Sequence, residues 1–195
     1  MDSYRNLKVA GLILFLGVAQ FILLMLLAEF LYPHYSVSSN FISDLGVGKT
    51  AIIFNSSIIL FGVFLACTGA LLRRFSPVLF IVLLLAGVGA AGVGLFPETT
   101  GTPHLLFSLL VFLMGSIAPY IILNRVRNSL AVAWSVLGTI ALFFLVFYMF
   151  DVHLGLGAGG MERMIVYPDL IWALGFGGWL MGKFSDKTRS GKAAV

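Results

Sequence analysis

Residues 77–96 read PVLFIVLLLAGVGAAGVGLF, a run with no charged residue, bracketed by Arg73-Arg74 before it and Pro97 after it. As a helix, a run of this length spans about 30 Å, the thickness of a bilayer's hydrocarbon core. Working outward, five more runs of the same kind fill the chain. The expected helices cover about 8–32, 50–72, 77–96, 102–123, 130–150 and 164–184. Prolines and arginine pairs supply most of the stops, and Thr102-Pro103 supplies a cap and a first-turn proline for the fourth helix.

Composition agrees. The 195 residues are 60% hydrophobic and only 10% charged, with a mean hydropathy of +1.06. That is too little charge to clothe a soluble domain of this size. The fold class expected is all-α: one transmembrane domain over 1–195, an integral membrane bundle of six transmembrane helices. Its polar tail, 185–195, is expected to be disordered. The first run is too long for a signal peptide and lacks a small-residue cleavage site.

A net charge of +4 and a pI near 9.4 raise the question of nucleic acid. The basic residues instead flank the apolar runs, as topology signals do, so no nucleic-acid partner is expected. With six spans, Arg5, Lys8, Arg73, Arg74, Arg125, Arg127, Lys183, Lys187, Arg189 and Lys192 all fall on one side. The other side has only Lys49 and Arg163. The positive-inside rule puts both termini in the cytoplasm of a multi-pass protein of the cell membrane. The lone Cys67 lies inside a span and implies neither disulfide nor metal site.

Glycines concentrate in the third run (Gly87, Gly89, Gly92, Gly94) and the sixth (Gly175, Gly177, Gly178, Gly182). Small residues let helices approach closely in lipid. Internal packing is the first reading and homo-oligomer contact the second.

The polar residues fall mostly at the outer end: His34, His104 and His153, with Glu29, Asp44, Glu98, Asp151, Glu162 and Asp169. Ionisable groups near membrane depth are costly and are held in a cavity with partners, so an outward-facing polar pocket is expected there. The loop 34–48 looks like a short interfacial helix followed by a glycine turn. Its Ser, Asn and Asp residues either cap helix starts or bind a ligand. Gly46-Val47-Gly48-Lys49-Thr50 superficially resembles a phosphate loop. It lacks the first glycine and the preceding strand, so no nucleotide is expected. Arg163 opens the last run, where a helix dipole disfavours a cation, and therefore pairs with an acid or binds an anion.

In their order and spacing these pieces resemble the domain-of-unknown-function family 998. The residues concerned are Ser39-Asn40-Phe41-Ile42-Ser43-Asp44-Leu45-Gly46, Gly94-Leu95-Phe96-Pro97 followed by His104, and Glu162-Arg163 with Tyr167-Pro168 and Leu170-Ile171-Trp172. The resemblance implies a six-helix membrane bundle and no particular activity.

Two functional classes stay open. One is a lipid-binding, sensor or accessory protein. The other is a zinc-dependent lipid hydrolase or transferase. In the second, His104, His153 and His34 are the candidate metal ligands, and Asp44, Ser43 and Asp151 the candidate catalytic residues. Arg163, Glu162, Asn40 and Asp169 are the candidate substrate-binding residues, Arg163 for a lipid phosphate. The residue types resemble those of ceramidase-like transmembrane hydrolases, whose seventh helix and paired histidines are missing here. A haem held by His104 and His153 is a further alternative.

Overall fold

The structure, a computed structural model, describes residues 2–190, with side chains from 4 to 184. Six helices are each long and apolar enough to cross a membrane. They are α1 (Asp2–Leu31), α2 (Ala51–Leu72), α3 (Pro77–Leu95), α4 (Thr102–Val126), α5 (Ser129–Met149) and α6 (Gly157–Ser190). The expected spans are all present. Of the tail expected to be disordered, 185–190 continue α6 as helix, and 191–195 lie outside the described residues.

Each helix packs against the next in sequence, and α6 packs against α1, so the helices form a closed ring. A lighter contact between α4 and α6 crosses it and leaves α5 on the outside. Short connections hold neighbours antiparallel. At the end nearer the termini, Ser76 accepts from the Leu79 amide ahead of Pro77, and Asn128 accepts from the Ala131 amide.

Glycine sets the closest approaches. A Cβ on Gly62 would stand 2.5 Å from the Gly87 carbonyl oxygen, and one on Gly87 2.6 Å from that of Gly62. Gly11 and Gly177 meet in the same reciprocal way, joining α1 to α6. Gly89, Gly92, Gly94 and Gly175 also lie against other helices, whereas Gly178 and Gly182 face open space. Internal packing is therefore the role of six of the eight glycines singled out in the sequence.

The bundle interior is apolar, with Phe21 stacked on Phe61 at 5.3 Å and packed on Phe54. The exterior is apolar as well: Phe30, Ile52 and Phe150 are 86%, 79% and 76% exposed. In water such a surface would aggregate, but in lipid it is the solvated face.

One connection is long. Between α1 and α2 the chain makes a turn at 36–39 and two 3-10 turns, Ser43–Gly46 and Gly48–Thr50. The expected interfacial helix is thus two short 3-10 segments. The glycine turn is present at Gly48, whose φ is +73°. This loop covers the ring at the end opposite the termini.

Candidate functional site

The loop is held down by one buried cation. Arg163, in the second turn of α6, is 3% exposed. Its Nη1 donates to the carbonyls of Val37 (2.9 Å), Asn40 (3.0 Å) and Gly159 (2.9 Å). Its Nη2 donates to Glu29 Oε1 at 2.6 Å and to the Tyr35 hydroxyl. The Tyr35 hydroxyl in turn donates to the Phe41 carbonyl at 3.0 Å, and the guanidinium lies 5.4 Å from the Tyr35 ring centre. Burial pushes the Tyr35 phenol up, so it keeps the proton it donates.

Glycines make this clasp possible. A side chain on Gly157 would collide with the Ser38 carbonyl, and one on Gly159 with that of Asn40. The Gly159 amide donates to the Ser38 carbonyl at 3.0 Å. The glycines 157, 159 and 160 precede 164, where the sequence places the start of the sixth helix. In the fold they are its first turn, and the loop backbone rests on them.

Arg163 is thus the partner of an acid, the first of the two roles read from its position. It is not placed to hold a phosphate, because the groups around it are carbonyls, a carboxylate and a phenol. Asn40 serves the same clasp. Its Oδ1 accepts from the Ser36 amide and its Nδ2 donates to Asp44 Oδ2 at 2.8 Å. Asp44 Oδ2 also accepts from the Phe41 amide at 3.1 Å. Both side chains fold their own loop.

One residue before Arg163, Glu162 projects about 100° around the helix from it and takes no hydrogen bond from the guanidinium. It is 5% exposed, and its Oε2 accepts the amide hydrogen of Ile42. Beside it stands Glu98, in the 3-10 turn Glu98–Thr100 between α3 and α4. Ser43 donates to Glu98 Oε2 at 3.2 Å. Burial, with Asp44 alongside, pushes the Glu98 carboxyl up to about 7, so near neutral pH it holds its proton about half the time. His104 completes the group in the first turn of α4, entered through Gly101 (φ +70°) rather than through a threonine cap. Its Nδ1–H donates to the Phe96 carbonyl at 2.8 Å, leaving Nε2 as an acceptor in the neutral ring.

Two hollows meet here. The outer one, about 500 Å³, is lined by Ser43, Glu98, His104, Ser108, Tyr148 and Glu162 and by apolar residues of α4 and α5. Among the latter, Leu105 and Met149 are 61% and 63% exposed, so this vestibule reaches the lipid-facing surface between the outer halves of α4 and α5. The inner one, about 80 Å³, lies at the centre of the ring and is almost wholly apolar. Ser43, Ser108, Phe112 and Glu162 line both. Deeper still, Asp169 lines the inner hollow, accepting from Ser116 at 3.2 Å and from the Trp172 indole N–H at 3.3 Å.

The remaining candidates lie elsewhere. His34 is exposed after α1, in a left-handed backbone turn (φ +57°). His153 and Asp151 pair with each other at 3.2 Å on the α5–α6 loop, their side chains 42% and 93% exposed. Of the three histidines only His104 lines the vestibule, and among the described residues no three His, Cys, Asp or Glu side chains form a group able to hold a metal ion. Glu98, Tyr148 and Tyr35 carry parts of this end of the molecule that sequence reasoning did not assign. For Glu98 a signal was present, since it directly follows the Gly94–Pro97 stretch and precedes His104 by one loop.

The chain matches the family model described as protein of unknown function (DUF998) over residues 15–179, a span that includes both the clasp and the vestibule. It belongs to that family. No curated protein and no solved structure matches it.

Proposed function

We propose that this multi-pass membrane protein of the DUF998 family binds an amphipathic lipid in its vestibule. The polar head sits among Ser43, Glu98, His104 and Glu162, and the chain lies along the cleft between α4 and α5. One observation carries the reading: a hollow of about 500 Å³ with hydrogen-bonding groups at one end, apolar walls along the rest, and a side that meets the lipid-facing surface. Ligand sites combine an apolar wall with a few convergent polar groups in this way. The lysine and arginine pattern supports placing the vestibule at the outer face of the cell membrane. Occupancy there suits a lipid sensor or an accessory subunit.

Mass spectrometry of lipids retained by the purified protein tests this. The expected result is one amphiphile class enriched over bulk lipid and lost in Ser108→Phe, which fills the junction of the two hollows. Ser108 has no part in the Arg163 clasp, so this variant keeps its fold. A retained-lipid profile equal to bulk lipid, unchanged in Ser108→Phe, would refute the proposal.

A further inference from the structure

We infer that the vestibule's ligand carries a positive charge: it is an organic amine with an apolar chain, not an anionic or uncharged lipid. This rests on the lipid-binding reading above and adds the chemistry of the head.

The argument begins with charge. Three carboxyl groups, Glu98, Glu162 and Asp169, line the two hollows, and among the described residues no lysine or arginine lines either. Arg163, the next residue in the chain, gives its hydrogen bonds to Glu29, Tyr35 and the loop carbonyls and none to Glu162. Glu162 is a buried carboxyl whose one hydrogen-bond donor among the described residues is a backbone amide. Burying a carboxylate that no cation contacts directly is costly, and an arriving cation lowers that cost.

The walls give a second, independent indication. Phe41, Phe112 and Tyr148 line the vestibule together with Glu98 and Glu162. Aromatic faces attract cations, more strongly when water is excluded. An alkylammonium is satisfied by such walls. A small inorganic ion is not, because it needs several oxygen or nitrogen ligands, and no such group of three exists among the described residues. His104 adds an acceptor, Nε2, for an ammonium N–H. A phosphate or carboxylate head meets carboxyl groups here and no cation among the described residues.

Native mass spectrometry of the full chain, released from neutral detergent, tests the inference with three ligands that share one chain: dodecylamine, dodecanol and dodecanoate. Dodecylamine is expected to bind at about a tenth of the concentration the others need, and Glu162→Gln to bring the three close to parity. Equal binding, or tighter binding of dodecanol or dodecanoate, would overturn the inference and leave lipid binding standing. Binding of none of the three would remove both. If Glu162→Gln does not fold, Glu98→Gln, at the loop rim of the vestibule, carries the same comparison, and the wild-type ranking decides by itself.

Discussion

Glu162 and Arg163 are adjacent in the chain and opposite in use. On the Arg163 side a buried cation meets an acid, a phenol and three carbonyls, and one nitrogen of the guanidinium, Nε, has no partner. On the Glu162 side acids face a hollow that no lysine or arginine lines among the described residues. The same helix turn therefore separates charge that has been neutralised by the fold from charge that has not. The first kind makes structure, and the second makes a place for something else to bind.

The comparison breaks most readily on the neutralised side. Arg163→Met leaves Glu29 buried and unpaired and frees three carbonyls, a loss of about 3–5 kcal/mol. Thermal unfolding in detergent should show a large drop, and Glu29→Gln placed on top of Arg163→Met should recover part of it. If Arg163→Met keeps its melting temperature, the clasp is not structural and the contrast with Glu162 disappears. Gly159→Ala acts on the same clasp by pressing a methyl group into the Asn40 carbonyl. Its expected cost is about 1–3 kcal/mol, read in the same melt.

Acidity sharpens the other side. The folded Glu98 carboxyl titrates near 7, above its ordinary 4.5. A carboxyl raised in this way favours the folded state when protonated. Its contribution is complete below about 4.5 and is lost as pH rises through 7. Cation binding has the opposite slope, because it gains as Glu98 ionises. The groups around Glu98 are Ser43 and Asp44 from the long loop, His104 from α4, Tyr148 from α5 and Glu162 from α6. Between pH 5 and 8 the melting temperature should fall while dodecylamine affinity rises, and Glu98→Gln should flatten both trends. Parallel trends would show that another group governs the pocket.

The smallest effect is expected at the exposed pair. Asp151→Asn or His153→Ala should change stability by no more than about 0.5 kcal/mol and leave lipid retention untouched. A loss of retained lipid in either would move the site out to the α5–α6 loop.

Much of the fold was legible because hydropathy reports burial in lipid directly. Pro97 and Arg73-Arg74 marked the ends of α3 within a residue or a few of their places. The start of α6 was not legible, because glycines weaken a helix by propensity, and only the nearby carbonyls of Ser38 and Asn40 explain them. The gathering of polar residues at one end of the bundle was also legible, because ionisable groups there have few other uses. Its division was not. Arg163, Glu162, Asn40 and Asp44 look equally available in a string of letters, and only the direction each side chain takes separates clasp from pocket. The three histidines share one end of the bundle for topological reasons, and sharing an end is not convergence. His34 and His153 sit on the outside of their turns.

Glu29 belongs to the first helix and Arg163 to the last, 134 positions later. A ribosome adding roughly 10 residues each second leaves that acid waiting on the order of ten seconds for its guanidinium. During the interval the ring is open, and the carbonyls of Val37 and Asn40 also lack their partner. A half-made chain thus displays an unpaired acid at the membrane rim that a finished chain conceals.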